Sequence, residues 1–412
     1  MKKFPFIAFL TFVVIILSQG CKPEIAQWRG INRDGQYNEL NLLDEWPADG
    51  PELLWVYEGI GNGYAAPTVT KDRIFVNGEV DSISFLLALD LNGELLWKKP
   101  NGKAFLGKGY SSKYPGARTS PTVIGNWVYA CSGRGRIACF KATSGDEYWT
   151  VDMVNDLGGI ENMFGFSESL AVDNKKVYCN PGGPETNLAA LNRKTGEIIW
   201  TSEAFKDTTA YCSPILVDLP DRKVLITTSR YHLFAIDCEN GELLGSYKLQ
   251  GVQWDGEHCN SPIYSEGNIF YIPNDRKGKG AVKLELSDDG TKITEIWNNE
   301  NIRNNFGGFV LSNNQLLTTI KGNWLKSIEI SKGIVTDSLK VAAGSIISAD
   351  NKLICYGMNG EVNLITQNQN KLKVAGSFKI EKGSNQHFSH PVVAHGILYV
   401  RHGNALMAYK IN

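Results

Sequence analysis

Residue types that could do chemistry are few in this chain and widely spaced. Of its six histidines, His258, His387 and His390 stand just before repeated strands. They show neither the His-x-His nor the His-Glu-x-x-His spacing that turns two ring nitrogens toward one metal ion, so no metal site is expected of them. Asp255, Glu257, Glu168 and Asn260 carry the oxygens a hard cation such as calcium takes, provided that the turns bearing them converge. Solvated turn residues are the simpler reading. Seven cysteines follow Cys21, an odd number with no Cys-x-x-Cys spacing for zinc or redox work. Cys131 and Cys139 flank Gly135 in one predicted hairpin and are placed to face each other, while the rest read as small buried hydrophobes. No catalytic residue is assigned. Residues 98–118 hold Lys98, Lys99, Lys103, Lys108, Lys113 and Arg118 without an acid, interspersed with Tyr110 and Tyr114. Such a basic loop would draw an anionic ligand, lipid head groups or a partner protein, unless it is simply solvated.

What must position these groups is read from a repeat. Ala189-Ala190-Leu191-Asn192-Arg193-Lys194-Thr195-Gly196-Glu197-Ile198-Ile199-Trp200 is a strand, a polar turn closed by glycine, and a strand ending in tryptophan. Weaker copies run from Ala88 to Trp97, from Ala138 to Trp149 and from Ala235 to Leu244. Self-similarity of this kind decides the fold before length does. The 412 residues include 42 glycines, with short apolar runs and almost no helical periodicity, which points to an all-β chain. Lys plus Arg number 42 against 43 Asp plus Glu, so no global attraction to nucleic acid is encoded.

Units open at Ala66-Pro67, Ser120-Pro121, Ser167 to Leu170, Ser213-Pro214, Ser261-Pro262, Gly307, Gly344 and His390-Pro391. Steps of about 46 residues suit four-stranded propeller blades. The eighth unit has three strands, and an orphan strand at 53–57 precedes the first unit. Pairing the two closes the ring and leaves no sheet edge exposed at the junction. The expected fold is therefore all-β: an eight-bladed β-propeller of four-stranded antiparallel blades, with seven blades the alternative because the sixth and seventh units have lost most of the motif. The repeat residues themselves read as structural: glycine for a tight reversal, and tryptophan to cover the next blade with its indole N–H on a backbone acceptor.

The N-terminus differs in kind. Lys2 and Lys3 precede an apolar run at 5–17 that suits a signal-peptide core, and Ser18-Gln19-Gly20-Cys21 resembles a bacterial lipoprotein box. The expected organisation is a signal peptide at 1–20, a linker from lipidated Cys21 through an irregular lead-in to residue 50, and one propeller domain at 51–412. The expected location is the cell envelope, lipid-anchored at the outer membrane or periplasmic side, with a soluble secreted or periplasmic form as the alternative.

The repeat at Ala190 to Trp200 resembles that of quinoprotein dehydrogenases and of the BamB lipoprotein of outer-membrane assembly. With Trp28-Arg29-Gly30, Arg118-Thr119-Ser120-Pro121, Gly165-Phe166-Ser167-Glu168-Ser169, Tyr211-Cys212-Ser213-Pro214, Asn305-Phe306-Gly307-Gly308 and His390-Pro391-Val392, residues 26–412 resemble the PQQ-binding-like β-propeller repeat family. The resemblance implies a binding or scaffold module in the envelope, of BamB type. A PQQ- and calcium-dependent dehydrogenase of alcohols or sugars is one alternative and a glycan-binding propeller another. No cofactor is expected: no two cysteines adjoin, and no obvious carboxylate and amide set marks neighbouring inner strands for calcium. Residues just before each inner strand line the axial funnel of such a ring, here Tyr64, Arg118, Phe166, Glu168, Tyr211, His258, Asn260, Asn305, Phe306, His387 and His390. This mixed aromatic and polar set suits small-molecule binding, or the packing of a central channel. Expected partners are an envelope protein complex or a small-molecule or glycan ligand, engaged by a monomeric propeller that meets the membrane through its lipid anchor alone.

Overall fold

The computed structural model describes residues 24–203, 205–206, 208–249, 258–274, 278–368 and 371–412. Cys21, Asp255 and Glu257 lie outside them. Each repeat folds as an antiparallel sheet, and eight such sheets form the propeller. Blade 1 comprises Thr68–Val69, Ile74–Val80, Ile83–Leu89 and Leu95–Lys103, ordered from the axis outward. Blades 2 to 7 span 122–152, 171–202, 215–248, 263–299, 309–340 and 344–379. Blade 8 takes Val392–Ala394, Ile397–His402 and Ala405–Lys410 from the C-terminus and its outer strand, Glu52–Tyr57, from the N-terminus. That strand pairs antiparallel with Ala405–Lys410, Trp55 opposite Ala408, so the ring closes on a hydrogen-bonded ladder.

Middle strands are apolar on both faces because each blade is covered on both sides by its neighbours. Phe75, Leu86, Ala88 and Trp97 of blade 1 thus share one core with Val123, Val128, Ala130, Ala138 and Phe140 of blade 2. The repeat's tryptophan and glycine belong together across that seam. Trp149 Nε1 donates to the Arg193 carbonyl at 3.1 Å, and Trp200 Nε1 to that of Cys238 at 3.1 Å. Trp55, Trp97 and Trp297 do the same onto Leu91, Ala142 and Ile330. Each ring lies on the next blade's turn glycine. A Cβ on Gly196 would meet Trp149 at 2.7 Å, and one on Gly241 would meet Trp200 at 2.6 Å. These glycines also hold positive φ, so size and conformation exclude a side chain together. Blades 1, 2, 3, 5 and 8 carry this tryptophan; in its place blade 4 has Gly245, packed against the Gly290 and Thr291 carbonyls, blade 6 has Asp337, and blade 7 has Gly376, packed against Trp46.

At the axis the serines that open the inner strands link blades. Ser120 N–H donates to Ser169 Oγ, Ser169 N–H to Ser213 Oγ, and Ser213 N–H to Ser261 Oγ, at 2.9 to 3.0 Å. The lead-in then crosses the ring. Ile25–Ala26 pairs antiparallel with Thr122–Ile124 of blade 2, and Gln36–Tyr37 pairs parallel with Gly344–Ala349 of blade 7. Between these anchors two arginines are buried at the axis. Arg29 donates to the carbonyls of Phe309, Ile346 and Asp34 and to His390 Nδ1. Arg33 donates to the carbonyls of Ser169, Leu170 and Pro214 and to Thr122 Oγ1. Burial lowers both guanidinium pKa values to about 10, which leaves them charged near neutrality. Beyond this crossing, Trp46 caps blade 7 through its N–H on the Ala375 carbonyl. Residues 24–50, expected as an irregular lead-in, are thus a plug for the channel.

Two expectations are corrected. Cys131 and Cys139 do not face each other: Cys131 pairs with Ile137 and Cys139 with Tyr129, two residues out of register, and both thiols are free. Lys98, Lys99 and Lys103 stand on the outer strand of blade 1, where Ile83 opposes Lys103, because that hairpin is longer than its apolar residues suggest. Only 104–118 is loop, and it contains the 3-10 turn Gly109–Lys113.

Candidate functional site

Inner strands run from one face of the ring to the other, so the loops that carry the chain between blades gather on the face where those strands begin. They frame a cavity of about 410 Å³ on the axis. Tyr64 comes from the segment before blade 1, and Tyr110, Tyr114 and Arg118 from the 104–118 loop. Phe164, Tyr211, Phe306 and Phe388 come from later connections, and Trp28 of the plug with His390 stands beneath. The rings form a continuous wall. Tyr211 meets Phe164 with centroids 5.9 Å apart, Phe164 meets Tyr114 at 6.1 Å, Tyr114 stacks on Phe388 at 6.3 Å, and Phe388 touches Phe306 at 4.6 Å. Tyr110 closes against Tyr114 at 5.4 Å, and Tyr64 against Phe388 at 5.3 Å.

One cation enters this wall. The Arg118 guanidinium lies 5.6 Å from the Tyr64 ring and 5.7 Å from that of Phe164, within cation–π range. Its Nη atoms donate to the Gly116 and Tyr114 carbonyls, so the loop fixes its direction. Among the described residues no carboxylate forms a salt bridge with it. Burial lowers its pKa, partly offset by the nearby hydroxyl of Tyr64 and carboxyl of Glu79. His390 is held in a single tautomer: Arg29 donates to Nδ1 at 3.2 Å, leaving Nε2–H to donate to the Phe306 carbonyl at 3.2 Å. Burial first, and then the Arg29 charge, lower its pKa to about 3, which fits a neutral ring that orients the floor and does not exchange protons near neutrality.

Of the residues expected at the funnel, Tyr64, Arg118, Tyr211, Asn305, Phe306 and His390 line the cavity. The others lie elsewhere, for reasons of packing. Phe166 is in the core between blades 2 and 3, its ring on Gly135. Glu168 is buried beside the plug, where desolvation raises its carboxyl to about 8 against the charge of Arg33. His258 is buried with Nε2 toward the Arg230 carbonyl at 3.2 Å, and its own carbonyl holds Tyr211 N–H. Asn260 clamps blade 5 to blade 6, donating to the Ile272 and Asn304 carbonyls and accepting from Gly308 N–H. His387 stacks on His402 at 3.7 Å and meets the Tyr356 hydroxyl at 2.6 Å, between blades 7 and 8. Lys108 and Lys113 flank the 3-10 turn, with Lys113 Nζ 5.8 Å from the Tyr110 ring. Lining residues that sequence reasoning missed are Trp28, Tyr110, Tyr114, Phe164, Phe388, Cys259 and Asn274. Tyr110 and Tyr114 carried a signal, their place in the basic stretch; Trp28 carried none, since nothing local shows that the lead-in crosses the axis.

Among the described residues the cavity is thus a recognition surface of ring faces, hydroxyls and amides with one fixed positive charge. No carboxylate stands among the lining residues, and no group of three or more His, Cys, Asp or Glu side chains able to hold a metal occurs among the described residues. Calcium would find mainly amide and hydroxyl oxygens there, a poor set for a hard divalent ion. The opposite face carries a wider groove of about 1160 Å³ between the plug and blades 3 and 4. Its charges are largely paired, Lys176 with Glu239, Arg222 with Asp237 and Lys223 with Asp218. No helix among the described residues is long and apolar enough to cross a membrane.

Comparison with solved structures shows the same fold at low identity. BamB from Moraxella catarrhalis superposes with a TM-score of 0.61 at 10% identity, covering 88% of this chain and 100% of that one. A computationally designed protein, Ika8, gives 0.62 at 13%, covering 88% and 100%. Quinohemoprotein alcohol dehydrogenase ADHIIG from Pseudomonas putida HK5 gives 0.60 at 12%, covering 92% and 79%. No curated protein matches the sequence. Residues 86–321, more than half of the chain, match the family model described as outer membrane protein assembly factor BamB, and the chain belongs to that family.

Proposed function

We propose that this protein is a non-catalytic binding module of the bacterial cell envelope, exported, anchored by lipid on Cys21, and presenting its funnel to an envelope partner or ligand. The observation that carries this reading is the cavity itself: its wall is aromatic, the one cation among its described lining residues is fixed by its own loop, and its histidine is held neutral. That arrangement recognises a surface or ligand and offers no positioned acid or base. A quinone-dependent dehydrogenase is disfavoured by the same donors, since among the described residues neither a carboxylate base nor a calcium-binding set lines the cavity. Membership of the BamB family supports an envelope role.

A photo-crosslinking residue at Tyr110, on the funnel lip, tests the reading in the native envelope. One dominant envelope species should be trapped, and the same residue at Val335, on the outer strand of blade 6, should not trap it. A lipid probe should label the wild type and not Cys21→Ser. Turnover of alcohols or aldoses by purified protein supplied with PQQ and calcium would overturn the non-catalytic assignment.

A further inference from the structure

We propose that the funnel binds the carboxylated end of a glycan, a uronic-acid-type sugar, with Arg118 taking the carboxylate and the ring wall covering the sugar faces. The inference rests on the binding-module reading and names its ligand class.

Charge comes first. Arg118 is directed into an aromatic cavity and forms no salt bridge among the described residues. The Glu79 carboxyl, whose charge acts on Arg118, is raised to about 7 by burial and accepts the Phe105 N–H. A cation with no salt-bridged carboxylate among the described residues, in so poorly solvated a place, attracts an anion strongly. Arginine's fork matches a carboxylate's two oxygens, and the backbone bonds to Gly116 and Tyr114 leave other N–H groups of the guanidinium for a ligand. Among the described lining residues the one cation, Arg118, balances one carboxylate; a phosphate would call for more.

The walls then select what the carboxylate is attached to. Tyr114, Phe164 and Phe388 present ring faces and edges suited to the C–H faces of a pyranose. Asn274, Asn305 and Ser167 bring the amides and hydroxyl that a polyhydroxylated ligand pairs with. About 410 Å³ is at the small end of the roughly 300–1,000 Å³ of ligand pockets, room for one or two sugar rings and not for a folded segment.

Calorimetric titration of the purified protein with galacturonic acid oligomers and with neutral galactose oligomers of equal length tests this. The acidic series should bind saturably and the neutral series at least about tenfold more weakly, the scale of one charge-assisted contact. Arg118→Ala should erase that difference without shifting the melting temperature, and Arg118→Lys should restore it in part. Equal affinity for both series, binding of neither, or acid preference retained in Arg118→Ala would overturn the proposal. So would PQQ saturating a cavity that neither sugar enters. An envelope crosslink from Tyr110 with no sugar bound would leave the binding module standing and this inference fallen.

Discussion

Arg33 joins three blades with one side chain, since its acceptors belong to blade 2, to the entry of blade 3 and to Pro214 before blade 4. Replacing it with alanine would take this donor from the buried Ser169 and Pro214 carbonyls and leave that of Leu170 with Thr122 Oγ1 alone, at a cost of about 2–5 kcal/mol. The expected result is a melting temperature lower by several degrees, and Arg33→Lys should recover little because an ammonium cannot span the fork. Glu168, beside it, supplies a pH dependence. Burial raises its carboxyl from 4.5 to about 8, so folding takes up a proton between those values. The stability tied to that proton is complete below about 4.5 and is lost as pH rises through 8. Melting temperatures from pH 5 to 9 should fall in the wild type with a slope that Glu168→Gln lacks; parallel curves would refute this. The sequence presented Glu168 as a funnel oxygen, and what it does not display is depth: Ser167 lines the cavity and Glu168, one residue on, is buried.

The blade is the level at which the sequence is most legible. Thr195-Gly196 and Trp200 recur because five of the eight seams are closed by a flat ring, an N–H acceptor and a glycine beneath, and those demands repeat wherever the latch is used. Gly196→Ala should therefore destabilise the seam between blades 2 and 3, with Trp149 displaced and its fluorescence altered. The outer strands of blades 4, 6 and 7, which have no tryptophan latch, should show faster amide exchange than the latched ones; slower exchange there than beside Trp200 would contradict the latch as the source of seam stability. Ring closure was legible for the same reason, as 53–57 looks like a fourth strand without its first three. The funnel was legible only in part. Tyr64, Arg118 and Tyr211 could be placed by their offset from a repeated strand start, whereas Tyr110, Phe164 and Phe388 sit in connections of unequal length, where repeat position gives no register.

At the scale of the whole molecule, the funnel and the chain entry lie on opposite faces. The Glu24 carbonyl accepts from Gly125, in the turn at the far end of the blade 2 inner strand. Three residues from Cys21 to Glu24 span about 10 Å at most. A lipid on Cys21 would hold the plug face near the bilayer and leave the funnel facing away. Nitroxide lipids should accordingly quench a fluorophore at Gly125 and spare one at Tyr110; the reverse order would refute that orientation. The crossing lead-in has a mechanical consequence as well. Tension applied at Glu24 reaches the ladder on blade 2, the two buried arginines and the ladder on blade 7 before it reaches the closing strand Glu52–Tyr57. A load on the tether is shared across the axis and met as shear, so the strand that closes the ring is the last to feel a pull.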